Sequence, residues 1–218
     1  MTSFHDIAIT TMKHSISFAA TSLIAVAASL AMTPAMAEGD AAAGQAKAAV
    51  CGACHGIDGN SANPVWPSLA GQHESYIINS IESFKNGSRK DVLMTTQAMI
   101  LNEQDTADLA AYFASQKVTQ RTADPALADA GERIYRGGDT EEGVSACIAC
   151  HGPSGRGNAP AGYPSLTGQH ATYTAKQLRD YKSRARSSDG DTQIMRNIAA
   201  ELNEEQIDAV SAYIQGLR

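Results

Sequence analysis

Cys51-Gly52-Ala53-Cys54-His55 decides how this chain is read, and it returns as Cys147-Ile148-Ala149-Cys150-His151. Residues three and four apart share one face of a helical turn. Two thiols and the following imidazole can therefore point the same way. C-x-x-C-H is the attachment pattern of a c-type haem. Cys51 and Cys54 would bond its two vinyl groups and His55 would reach its iron. Cys147, Cys150 and His151 would do the same for a second haem.

Working outward, the flanks repeat as well. Pro67-Ser68-Leu69-Ala70-Gly71-Gln72-His73 returns as Pro164-Ser165-Leu166-Thr167-Gly168-Gln169-His170. Tyr76 matches Tyr173, Leu101-Asn102-Glu103 matches Leu202-Asn203-Glu204, and Ala111-Tyr112-Phe113 matches Ala212-Tyr213-Ile214. The register stays at about 96 to 101 residues throughout, so the copies differ by short insertions. Two copies are too few for a solenoid and read as tandem domains.

Each copy is expected to be helical. Asp40 is placed to cap an alanine-rich helix running into Cys51. A Gly- and Pro-rich loop follows. Glu74 to Asn86 carries Ile77, Ile81 and Phe84 on one stripe and stops at Gly87. Asn102 caps a last helix. The second copy repeats this plan, with helices from about Asp129 to Arg136, from Ala171 to Arg184, and after Asn203. No run alternates well enough for a strand. The fold class is all-α, with domains over 38–120 and 129–218 and a linker over 121–128.

Residues 1–37 read as a signal peptide that is removed. Lys13 precedes an apolar run from Ile16 to Leu30, and Ala35-Met36-Ala37 is an A-x-A cleavage pattern before Glu38. Met12 would open a well-proportioned signal by itself, which suggests an upstream start choice for Met1–Thr11. Export places the chain in an oxidising compartment, where disulfides form, yet all four cysteines lie in the two haem motifs. The chain has 218 residues, 43% hydrophobic and only 6% aromatic. Two flat apolar haems would fill the cores of two small domains. The formal charge of −6 argues against a nucleic-acid partner. Lys176, Arg179, Lys182, Arg184 and Arg186 nevertheless crowd one helix and its exit, either as a solvated face or as a docking patch for an acidic partner or anionic lipid.

The sixth position of each iron remains to be filled. In an electron carrier methionine often takes it and raises the potential. After residue 37 the chain has only Met94, Met99 and Met195. Met94 lies seven residues before Leu101, and Met195 seven before Leu202. The repeat therefore selects Met94 and Met195, leaving Met99 as core filler. The rivals are His73 and His170, which the repeat also pairs. Pro67 and Pro164 are candidate orienting residues, since their carbonyls could accept the Nδ1–H of His55 and His151. Trp66 and Tyr163 could pack on a haem edge or simply in the core.

With Asp58-Gly59-Asn60-Ser61, Asp189-Gly190-Asp191-Thr192 and Ser211-Ala212-Tyr213-Ile214-Gln215-Gly216-Leu217 added, the pattern over 38–218 resembles the di-haem cytochrome c4 family, tandem class I cytochrome c units. The resemblance implies His/Met ligation at both irons, two domains about a pseudo-twofold axis, and haem propionates facing each other across the interface. It implies a monomeric periplasmic carrier, peripherally associated with the membrane, that takes electrons from a quinol-oxidising cytochrome complex and passes them to a haem–copper oxidase. Filled coordination implies no catalysis. Three rivals stand beside this reading. One is a di-haem electron-accepting subunit of a dehydrogenase, another a di-haem peroxidase or thiosulfate-oxidising enzyme, and the third a zinc or thiol-redox use of the C-x-x-C pairs.

Overall fold

The computed structural model describes residues 38–218; the signal-peptide reading falls on residues outside that range. The described residues hold ten α-helices and two short 3-10 turns. No strand occurs among them, only isolated bridges at Asp139–Val144 and Asn158–Tyr163. The all-α expectation holds.

The first copy is built from α1 (Ala41–Lys47), α2 (Ala49–His55), α3 (Glu74–Lys85), α4 (Val92–Met99) and α5 (Glu103–Ser115). The second has α6 (Pro125–Gly137), α7 (Ile148–His151), α8 (Ala171–Lys182), α9 (Ile194–Glu201) and α10 (Glu204–Gln215). Asp40 caps α1 by accepting from the amides of Ala42 and Ala43. Asn102 and Asn203 open α5 and α10 with reciprocal capping boxes, satisfying two otherwise orphaned donors at each end.

One crossing organises each copy. α1 packs on α5, and α6 packs on α10. Gly44 and Gly131 sit at these crossings. A Cβ on Gly44 would strike the Asp108 carbonyl, and one on Gly131 the Ala209 carbonyl. The absence of a side chain is what lets the backbones meet. Two separate cores result. Ile77, Ile81, Phe84, Leu109 and Phe113 form the first, and Tyr135, Leu178, Leu202, Ile207, Val210 and Ile214 the second.

The helix expected from about Asp129 starts earlier, at Pro125, with Asp124 as its cap. The end of the segment read as linker, 121–128, is therefore helical. Pro is well placed in a first turn, where its missing N–H costs nothing. The preceding residues are strapped down on both sides. Arg121 donates to the carbonyls of Gly168 and Ser61 and to Ser68 Oγ, and Gln215 donates to the Thr122 carbonyl.

The two copies meet through reciprocal contacts. Gln72 Nε2 donates to the Ser165 carbonyl, and Ser165 N–H returns a bond to Gln72 Oε1. Gln169 and Ser68 repeat this. Residues i and j exchanging partners in this way define a local twofold relation.

The basic run on α8 is not a free patch. Arg179 pairs with Glu204 and Asp208, Lys176 with Asp180, and Lys182 caps the carbonyls of Ala200 and Leu202. Arg184 donates to Gln193, and Arg186 is buried at the interface. The docking reading of this run is withdrawn, because folding supplies its partners from α8 itself, from α3, α9 and α10, and from the loops beside them.

Candidate haem sites

α2 ends at His55 and α7 at His151, each followed by a glycine with positive φ that turns the chain away. A helical turn thus carries each C-x-x-C-H, as its spacing requires. The tyrosine that anchors the exit differs between copies. Tyr112 of α5 donates to the Ile57 carbonyl, whereas Tyr135 of α6 donates to the Gly152 carbonyl.

Both histidines are buried. His55 Nδ1 lies 2.8 Å from the Pro67 carbonyl oxygen, and His151 Nδ1 lies 3.0 Å from that of Pro164. A carbonyl can only accept, so each Nδ1 carries the proton and Nε2 keeps its lone pair. Burial lowers both imidazole pKa values, which keeps the rings neutral. A neutral imidazole with Nδ1 tied and Nε2 open is the form that ligates a metal.

The four cysteines are free and half-buried. Burial pushes the Cys51 thiol up and the Cys147 thiol up to about 11. Neither is the low-pKa thiolate that thiol-redox chemistry uses. Cys51, Leu69 and Met94 pack against the first core, and Cys147, Leu166 and Met195 against the second. Each copy therefore brings one motif cysteine, the leucine of its Pro-Ser-Leu stretch and the selected methionine to one apolar body. Paired thiols, a neutral imidazole, a thioether and apolar walls are a donor set that fits a haem.

Met99 is not core filler. It is 64% exposed. Five residues along α4 place it about 140° from Met94 around the helix axis. Val92 lies on that outer face too, and Leu93 and Ile100 are also exposed. With Val50, Ile57 and Val65 these are the exposed large hydrophobics among the described residues, and all belong to the first copy.

His170 Nε2 lies 2.8 Å from the Ser61 carbonyl of the other copy, so this side chain belongs to the interface. His73 holds the matching place before α3, with its Nε2 buried and unpartnered. Trp66 and Tyr163 are half-buried; the Tyr163 ring is 6.3 Å from that of His151. The residues that sequence reasoning missed lie between the copies. Gln72 and Gln169 stood in the quoted repeat without a role. Arg89 went unmarked, and Arg186 was counted with the basic run.

Two helical domains, each ending a helix in C-x-x-C-H, define a tandem c-type cytochrome. The sequence pattern of the cytochrome c family matches residues 41–117 and again 128–218. Cytochrome c4 of Azotobacter vinelandii is 55% identical over 190 residues, covering 83% of this chain and 90% of that protein. Cytochrome c4 of Pseudomonas aeruginosa is 57% identical over 181 residues, with the same coverage. The crystal structure of reduced recombinant cytochrome c4 from Pseudomonas stutzeri superposes with a TM-score of 0.80 at 52% identity, covering 83% of this chain and all of that one. The chain belongs to the cytochrome c4 family. It is a di-haem electron carrier, not an enzyme, and bears two covalently attached haem c groups.

Proposed function

We propose that this chain shuttles single electrons in the periplasm, from a quinol-oxidising cytochrome complex to a haem–copper terminal oxidase. Cys51 and Cys54 tether one haem and Cys147 and Cys150 the other. His55 with Met94, and His151 with Met195, hold the two irons. The observation that carries this reading is the identical company of the two methionines, each beside a motif cysteine and the Pro-Ser-Leu leucine.

When bound, the haems supply the one-electron chemistry between ferrous and ferric iron. The protein fixes and shields them. The carbonyls of Pro67 and Pro164 hold the imidazoles in one tautomer and orientation. The apolar cores that pack Met94 and Met195 exclude water, and each histidine keeps its Nε2 lone pair for iron. His170 is committed to Ser61 and does not compete for iron. Export to the periplasm follows from the expected signal peptide and from the chemistry of haem attachment to thiols.

Stopped-flow mixing tests the assignment. The ferrous protein should be oxidised by membranes holding a haem–copper oxidase and re-reduced by a quinol-oxidising complex, both within the respiratory turnover time. Peroxide or thiosulfate turnover by the isolated protein, without such partners, would contradict it.

A further inference from the structure

Of the seven exposed large hydrophobics among the described residues, four belong to α4 or its C-cap. Val92 is 85% exposed, Leu93 65%, Met99 64% and Ile100 75%. Val92 and Met99 are seven residues apart, as are Leu93 and Ile100. Each pair therefore stacks two turns apart on the outer face of the helix. Thr96 lies between them, and its hydroxyl donates back to the Val92 carbonyl. The opposite face is spent on the core, where Ala98 is fully buried and Met94 packs. α4 contains no charged and no aromatic residue.

The second copy shows that this stripe is not needed to hold a haem. With Met94 aligned to Met195, the outer positions of α9 are Gln193, Ile194, Asn197, Ala200 and Glu201. Ile194 is the one large aliphatic left, and it is half-buried. Val50 and Ile57, which flank the first attachment motif and are also exposed, become Ala146 and Pro153. Both helices carry a methionine to the core of their own copy, yet their outer faces differ. A requirement common to both copies cannot account for a surface found on one.

We propose that the outer face of α4 is a single docking port, used in turn by the electron-donating and the electron-accepting protein, and that the second haem exchanges electrons only through the first. This rests on the carrier reading above. The stripe lies on the helix whose other face reaches the core that also packs Cys51, so a partner seated there is one helix away from the first haem site. An uncharged aliphatic surface with an adaptable methionine can re-pack against different partners. That suits a carrier which must bind two proteins in turn and leave both. Size agrees as well. Weak redox encounters bury under about 1,200 Å² in total, whereas permanent dimers bury about 2,000 Å² or more. Seven exposed side chains supply only the smaller area. A bilayer fits this face poorly. Helices that lie in a membrane interface are rich in Lys and Arg. α4 has none, and residues 38–120 hold five Lys or Arg against nine Asp or Glu, a formal charge of −4.

The test grafts the second copy's surface onto the first. Holoprotein V92Q/M99A/I100E is mixed by stopped flow with a haem–copper oxidase and, separately, with a quinol-oxidising complex, and both haems are followed. Losing one buried aliphatic side chain weakens an encounter about tenfold. The second-order rate constants with both partners should therefore fall about tenfold or more, and at both haems alike. V92Q/M99A/I100Q should fall as far, because apolar surface and not charge is what is lost. An unchanged rate with either partner, a fall at the first haem alone, or a full rate in the Gln variant would overturn the port. Both potentials should stay at their wild-type values; a shifted potential would place the loss at the haem and overturn the port too. One measurement needs no substitution. The quinol-oxidising complex, held inactive by an inhibitor, should slow the wild type's reaction with the oxidase competitively, and no competition would overturn a shared port. The wild type and the triple variant should sediment alike, alone and with protein-free vesicles of phosphatidylethanolamine and phosphatidylglycerol. A dimer, or vesicle binding, that the variant abolishes would overturn the port in favour of a second copy or a membrane. A wild type that exchanges electrons with neither partner would overturn the carrier reading, and the port with it.

Discussion

Gln169 clasps Ser68 across the domain interface by both ends of its amide. Ser68 N–H donates to Oε1 at 2.9 Å, and Nε2 donates to the Ser68 carbonyl at 2.9 Å. The same Oε1 accepts from the His170 amide, fixing the start of α8. Ser68 follows Pro67, whose carbonyl orients His55. The Pro67 carbonyl and the Ser68 N–H are the two ends of one peptide unit, so the imidazole anchor and the interface clasp share it.

Gln169→Ala strands the Ser68 N–H and carbonyl in a buried setting. The expected cost is about 2–4 kcal/mol, from two lost hydrogen bonds and their unsatisfied partners. Denaturant unfolding of the holoprotein, followed separately at each haem, checks this. The wild type should unfold in one step and the variant in two, and a single unchanged transition would contradict the clasp.

Gly131→Ala should destabilise the second domain although alanine is the better helix former by about 1 kcal/mol. The new Cβ meets the Ala209 carbonyl and the Tyr213 Cβ. Overpacking of this kind costs about 1–3 kcal/mol. Gly44→Ala should do the same in the first domain, against Asp108 and Tyr112. Thermal melts read out both, and a raised midpoint would refute the crossing argument.

Pro67→Ala retains the carbonyl that accepts from His55. The potential of that haem should therefore hold. Stability should fall by about 0.4–1 kcal/mol, through the freer unfolded chain. A large potential shift with unchanged stability would mean that the ring, not the carbonyl, orients the ligand.

Asp108 explains part of the acid response. Its carboxylate accepts from the Asp40 amide first, then from Lys47 and Gln104, which hold its pKa down to about 2 from an ordinary 3.8. A depressed folded pKa stabilises the fold above the unfolded value, and that contribution drains away as pH falls from about 4 toward 2. Asp108→Asn should lower stability at neutral pH and flatten the acid limb of a midpoint-against-pH curve. An equally steep limb would contradict this role.

The sequence made the helices and the attachment sites legible because both rest on short spacings. Asp40, Asn102 and Asn203 announce caps within four residues, and C-x-x-C-H names its cofactor within five. The matching register of Met94 and Met195 in the repeat corresponds to matching places in the fold, each against the core of its own copy. The interface between the copies escaped reading because its contacts join segments roughly a hundred residues apart. Arg186 looked like one more charge in a basic run, and only folding shows it buried against Tyr76 and Gln177. Met99 looked like core because methionine usually is, and helix phase put it outside. The start of α6 at Pro125 was hidden because a Pro among Thr, Asp and Arg also reads as linker.

The central claim is a methionine on each iron. The most direct measurement is the far-red charge-transfer band of the ferric holoprotein, quantified per haem in the wild type and in Met94→Ala and Met195→Ala. The wild type should show the band at an intensity for two haems. Each variant should lose half of it, with a lowered potential at one haem only. A wild type without the band, or a variant that keeps it in full, would contradict the assignment.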